Sequence, residues 1–425
     1  MRALASFALG TAVVVAAVVA VACSPSGASQ PRDWRTSVDT IGDTIQVRTT
    51  GTSNPRRHAP VPEMRIGELE GADEYTFGAV SEMGVGAAGD LYVFDRQAMQ
   101  LRRYGADGRF VRNIGRKGGG PGEYDRVNGL AVATDGRVFL WDAGNARVTI
   151  FTAEGEPEAT WRMQGGFFTS NALALDSAGR VHTRVGTFGP DVTAWRTIVV
   201  RYGAGGAPVD TLETPRFELP FNQIVARRER STSSNNVPYT ASTLWALDRE
   251  GRFVYGRSDQ YALYRERPDG MVLRIEREAA PVAVSGAERS EREARATWQM
   301  RTTDPAWRWN GPPIPDVKPY FTNLRVVEDG RIWVQISQPG ERNPDADTTE
   351  TAPNRPPPLL YREAQVWGVV APDGYYLGQV ELPIAFTLFA ARGDHVWGVQ
   401  RDEMDVQYVV RLRIEPSLAG VGERG

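Results

Sequence analysis

Met83-Gly-Val-Gly-Ala-Ala-Gly-Asp90-Leu-Tyr-Val-Phe-Asp95, followed by Leu101-Arg-Arg-Tyr104, Asp107-Gly108 and Arg109-Phe-Val-Arg112, is answered farther on by a second run built to the same plan. That run reads Asn128-Gly-Leu-Ala-Val-Ala133, Asp135-Gly136, Arg137-Val-Phe-Leu-Trp-Asp142, Arg147-Val-Thr-Ile-Phe151 and Glu154-Gly155, with a last segment ending at Met163. Each run holds four short segments with apolar residues in strand alternation. The Asp-Gly and Gly-Asp pairs between them supply the positive φ that tight hairpin turns need. Four-stranded meanders in series are the blades of a propeller, because one such sheet cannot bury both faces alone and must stack on the next.

The turns count the blades. The turn after the first strand recurs at Gly89-Asp90, Asp135-Gly136, Ala178-Gly179, Glu250-Gly251, Asp329-Gly330 and Gly393-Asp394. The turn before the fourth strand recurs only at Asp107-Gly108, Glu154-Gly155, Gly205-Gly206, Asp269-Gly270 and Asp373-Gly374. A sixth blade ending with Tyr408 to Ile414 therefore lacks its outer strand, while residues 63–69, Glu63 to Leu69, precede blade one without a blade of their own. The expected fold is all-β: a six-bladed propeller of four-stranded antiparallel blades, its ring closed by that N-terminal strand so that no edge stays open.

Blade spacing begins at about 45 residues and then lengthens through insertions at 214–240, 281–321 and 338–360. In the second, Ser285 three residues before Glu288 is a capping-box pattern that predicts one helix, Ser285 to Arg301. The third, rich in Pro, Asp and Thr, reads as a hairpin tip.

Residues 1–22 carry Arg2 and an uncharged apolar run from Ala3 to Ala22, the pattern of an export signal, long enough that an uncleaved span is the alternative. Cys23, the one cysteine, follows Ala20-Val21-Ala22. This junction resembles the lipobox of bacterial lipoproteins, with Ala20 where leucine is usual. The resemblance implies lipid attachment at Cys23 and a membrane-anchored lipoprotein of the bacterial cell envelope. With a single cysteine no internal disulfide can form. Residues 23–62 are expected as tether and N-terminal extension, 63–415 as the propeller and 416–425 as a tail. The formal charge of -3 excludes a strong field for nucleic acid or anionic lipid.

Gly115-Arg-Lys-Gly-Gly-Gly-Pro-Gly-Glu-Tyr124, then Asn128 to Val132 and Asp142-Ala-Gly-Asn145-Ala-Arg147, resembles an NHL repeat. The chain is similar to exported six-bladed propeller lipoproteins of bacteria, most of which bind proteins or ligands on the propeller faces. Asp95, Asp142, Asn145 and Arg147 recur after second strands and read as residues that tie blade loops together. The run Gly118–Gly122 joins strand to strand, so it lacks the helix N-terminus of a phosphate cradle.

The starts of the innermost strands place Ser81, Glu82, Asn128, Asn171, Thr243, Thr322 and Asn323 around a central channel. Glu82, Asn128, Asn171, Thr243 and Asn323 form a candidate ligand or metal site of hard oxygens, the chemistry that Ca²⁺ prefers. The arrangement looks like that of gluconolactonase-type propellers, although Thr243 stands where an Asp would be needed and no base is evident. The alternative is polar residues hydrating a channel mouth. His58 outside the propeller, His182 and His395 are too scattered for zinc. Trp298, Trp307 and Trp309 could cap the mouth or simply pack the insertion. The leading expectation is a binding or scaffold module for a protein, peptide or carbohydrate ligand, without catalytic residues or a cofactor. The rival is a divalent-metal-dependent hydrolase of the lactonase type working at the channel.

Overall fold

A computed structural model describes residues 35–51, 57–163, 173–187, 189, 195–229, 231–347 and 355–418. The predicted signal segment, Cys23 and Asn171 lie outside the described residues. No helix among the described residues is long and apolar enough to cross a membrane.

Blades one and two are regular four-stranded sheets: Val80–Val85, Leu91–Asp95, Gln100–Tyr104 and Phe110–Ile114, then Val127–Val132, Val138–Asp142, Arg147–Phe151 and Pro157–Arg162. Blade three runs Ala174–Leu175, Val181–Thr187, Arg196–Tyr202 and Pro208–Glu213, and blade four Thr243–Leu247, Phe253–Arg257, Ala262–Glu266 and Val272–Arg277. Blade five takes Phe321–Val326, Ile332–Ile336, Gln365–Val370 and Tyr376–Leu382. Second strands such as Leu91–Asp95 and Val138–Asp142 are buried along their whole length. Neighbouring blades cover both faces of these strands, and this burial of apolar area drives closure. Gly108 and Gly136 take φ of 82° and 88° in their turns, a region where a Cβ would strain the backbone.

Blade six closes the ring with its own last strands and the N-terminal one: Phe386–Arg392, His395–Arg401, Gln407–Glu415 and, outermost, Arg57–Ile66. Ile66 pairs with Val409 and Ala59 with Glu415 in antiparallel register. The closing strand starts earlier than residue 63, and its first residues also pair in parallel with blade five, Arg57 opposite Gln379 and His58 opposite Val380. His58 is thus inside the propeller, buried, with Nδ1 2.6 Å from the Pro416 carbonyl. On the other side, Gln407 accepts from the Val80 amide at 2.8 Å and donates to the Gly78 carbonyl at 3.3 Å, which joins blade six to blade one.

The expected tether is shorter than its composition suggested. Arg35–Ile41 and Thr44–Thr50 form a hairpin whose second strand runs parallel to the outer strand of blade four, Val47 opposite Ile275. Val47 is buried against Leu273 and Ile275, which supplies the apolar contact that a solvated linker lacks. The tail is likewise docked at its start: Leu418 is buried and its amide donates to Asp394 at 2.8 Å.

In an antiparallel blade, the links from the second to the third strand and from the outer strand to the next blade leave at one end. All three insertions are links of these kinds, so they emerge on one face. They pack together there. A hairpin, Gln223–Arg228 with Ser231–Asn236, lies on the helix Gly286–Thr303 around a separate core of Ile224, Val237, Met300, Trp307 and Ile314. Ser285 and Glu288 form the expected capping box. The third insertion joins through Glu341–Arg342, paired with Tyr361–Arg362, and through the Tyr361 amide, which donates to Glu291 at 3.0 Å.

Candidate functional site

Bulges shape the channel-facing ends of the inner strands. In blades one, two and five the strand carries one extra residue near its start, which re-aims the next side chains. Ser81, Asn128 and Thr322 occupy the bulge, and Glu82 and Asn323 follow it. The residues predicted as one ring therefore hold two kinds of position. Thr243 is engaged by the fold, its hydroxyl accepting from the Phe217 amide at 3.1 Å. The tryptophans do not gather at the channel: Trp307 is buried in the insertion core and donates to the Val225 carbonyl at 2.9 Å, and Trp309 donates to Pro312 at 3.0 Å.

Glu82 sits among charges that the sequence did not bring together. Burial pushes its carboxyl up to about 7, against the opposing pull of the Arg325 guanidinium. Arg325 lies on the inner strand of blade five, and burial lowers its pKa, with Glu82 acting in the other direction. Arg184, on the second strand of blade three, is lowered by burial and by repulsion from Arg325. Its guanidinium lies 4.1 Å from the centre of the Trp245 ring of blade four, a cation–π distance. Blades one, three and five are not neighbours in a six-membered ring. Their side chains can influence one another in this way only across the axis.

Among the described residues, neither Arg184 nor Arg325 has a hydrogen-bond or ion-pair partner within bonding distance, and Arg325 Nε is sealed from solvent with none. Other arginines of this fold bond through at least one terminal nitrogen, even where, as in Arg147, the Nε has no partner. Arg102 donates to the Thr76 carbonyl at 2.9 Å, Arg265 to the Gly330 carbonyl at 2.9 Å, and Arg147 to the carbonyls of Gly120 and Glu123 at 2.8 and 2.7 Å. The charge around Glu82 is thus net positive, which opposes a divalent cation there. Among the described residues, no group of three or more His, Cys, Asp or Glu could hold a metal ion.

The repeat residues serve the blades. Asp95 accepts from the amides of Gly78, Ala79, Gln97 and Ala98 at 2.8–3.1 Å. Asp142 accepts from Arg126 at 3.0 Å and from the Asn145 side chain at 2.6 Å, and Asn145 also donates to the Gly118 carbonyl at 3.0 Å. The glycine-rich run does hold an anion, but it is the chain's own: Glu123 accepts from the Gly120 amide at 2.7 Å and from Arg116 at 2.8 Å.

At the opposite end of the channel, a cavity of about 530 Å³ is lined by Val85, Val132, Leu247 and Val326, with Asp176 and Asp248 at its rim. Those acids are internally paired, Asp176 with Arg180 at 2.6 Å and His182 at 2.9 Å, Asp248 with Arg252 at 3.3 Å. These paired acids contrast with Arg184 and Arg325, which have no such partner among the described residues.

Residues 63–177 match a family model described as a 6-bladed beta-propeller. Among solved structures, the chain is similar to a member of a family of unknown function from Bacteroides vulgatus, with 12% identity, 84% of this chain and 98% of that chain covered, and a TM-score of 0.50. It is also similar to a candidate exported protein from Bacteroides fragilis, with 12% identity, 88% and 99% covered, and a TM-score of 0.47. A virginiamycin B lyase from Staphylococcus aureus matches with 12% identity, 79% and 94% covered, and a TM-score of 0.34. No curated protein matches the sequence. The family model shows the fold, a six-bladed β-propeller.

Proposed function

We propose that the protein is an exported binding module, anchored to the bacterial envelope through Cys23, that engages a protein, peptide or carbohydrate ligand on the face bearing the three insertions. The carrying observation is the knot that makes those insertions one body. Lys318 Nζ, wholly out of solvent, donates to Glu288 at 2.6 Å, to Glu363 at 2.8 Å and to the Gln338 carbonyl at 2.8 Å. Its ammonium also lies 5.1 Å from the Tyr239 ring centre, so all three insertions meet at this one charge.

A rigid structure built on one face of a scaffold, with its own core and polar network, supports a recognition role, since blades one, two and three form complete four-stranded sheets without strands from it. Its outer surface carries a cleft with Trp298, Pro238, Pro356, Arg292 and Arg295, a mixture of aromatic and guanidinium groups common in recognition surfaces. The metal-dependent hydrolase reading needs a cation where Arg184 and Arg325 place positive charge, and is the weaker one.

The test is binding of the full chain, in detergent, to peptide and glycan arrays, repeated with Arg292→Ala/Arg295→Ala and with Arg109→Ala on a turn at the opposite face. Binding lost in the first variant and kept in the second supports the reading. Binding sensitive only to Arg109 would overturn it.

A further inference from the structure

Two cations near the channel, Arg184 and Arg325, have no close counterion among the described residues. Removing a guanidinium from water costs several kcal/mol unless hydrogen bonds and opposite charge replace its hydration. Elsewhere the fold supplies those partners, as the carbonyls around Arg102, Arg147 and Arg265 show. Among the described residues, the acidic group that acts on Arg325 is Glu82, at a distance beyond that of an ion pair. Arg184 is further held in place by the face of Trp245, which orients a guanidinium but cannot neutralise it.

We propose that Arg184 and Arg325 form an oxyanion-binding site on the propeller axis, taking the carboxylate or phosphate group of a small ligand. The assignment deepens the binding role proposed above by naming a ligand class. Guanidinium groups present paired N–H donors that match the oxygen spacing of carboxylate and phosphate. Two of them, reaching the axis from blades three and five, approach such a group from different directions. Glu82, on blade one, acts electrostatically on Arg325. As a neutral carboxyl it donates a hydrogen bond to an anion, and as a carboxylate it repels one.

The experiment titrates citrate and, separately, inorganic phosphate into the full chain by calorimetry at matched ionic strength, with chloride as the reference. At least one titration is expected to saturate at one site per chain. Affinity falls at least tenfold in Arg184→Gln and in Arg325→Gln and is unchanged in Arg109→Gln. Which probe binds distinguishes carboxylate from phosphate recognition. A second measurement needs no variant: phenylglyoxal labelling of Arg184 and Arg325, read by mass spectrometry, is expected to slow at least threefold when the bound anion is present. Absence of saturable binding by both probes, or equal affinity in both variants with unprotected labelling, meaning an adventitious ion only, overturns the assignment. Array binding on the insertion face can survive that result, so the two readings fail separately.

Discussion

Lys318 and Glu288 form a 2.6 Å ion pair in which the lysine side chain has no solvent exposure and the glutamate 4%. Glu288 also completes the capping box of the helix, so one carboxylate starts that helix and binds it to the other insertions. Burial alone would raise the Glu288 pKa and lower that of Lys318, but the hydrogen bonds between them win and each moves the other way.

Lys318→Met leaves Glu288 and Glu363 facing a buried void of charge and is expected to cost about 3–5 kcal/mol. Chemical denaturation measures it. Adding Glu288→Gln and Glu363→Gln to Lys318→Met should recover part of that loss. A loss within error of zero would show that the knot does not hold the insertions.

Closure by the N-terminal strand predicts an asymmetry between two isoleucines. Ile66, 3% exposed and packed with Trp397 and Val409, is expected to cost about 2–5 kcal/mol when truncated to Ala. Ile41, 66% exposed on the outer strand of the N-terminal hairpin, should stay within about 0.5 kcal/mol. Equal effects in thermal denaturation would mean that the closing strand contributes little.

Stability should fall with rising pH because of Glu82. Its folded pKa of about 7 exceeds the usual 4.5, so from about pH 4.5 to 7 the unfolded chain releases a proton that the folded chain keeps. The loss is complete above about 7 and amounts to up to about 3 kcal/mol. His182 acts oppositely: burial holds its pKa below 6.5 despite Asp176, so acid weakens the fold as pH drops below about 6.5. Comparing Glu82→Gln with the wild type cancels the histidine. The two pH profiles should diverge between 4.5 and 7, and parallel profiles would refute the burial of Glu82.

Cys23→Ser should abolish incorporation of labelled palmitate in cells and shift the protein from the membrane pellet to the soluble fraction. Label retained in the variant would refute the anchor.

Much of this molecule was legible in one dimension. Strand alternation is a property of neighbouring residues, and the Asp-Gly turns mark positions where only a few residue types fit the backbone, so the blade count follows from eleven turns. The missing outer strand of blade six pointed to an N-terminal segment, and Ser285 with Glu288 located the helix. These are local signals. Composition misled where local sequence was polar but long-range contact was available: Arg35–Thr50 became a hairpin because the outer strand of blade four offered Leu273 and Ile275 to Val47.

The channel was legible only in part. Glu82, Asn128 and Asn323 could be placed at strand starts, since position along a strand is encoded in sequence. That Arg184, Trp245 and Arg325 meet there could not be read, because 61 and 80 residues separate them and no periodicity relates one blade's second strand to another's first. The sequence by itself determined the strands, the turns, the number of blades and the helix start, all set by short-range backbone sterics and apolar alternation. Only the closed ring decided which charges face one another across the axis, because electrostatic neighbours are chosen by distance in space and by the water that closure removes.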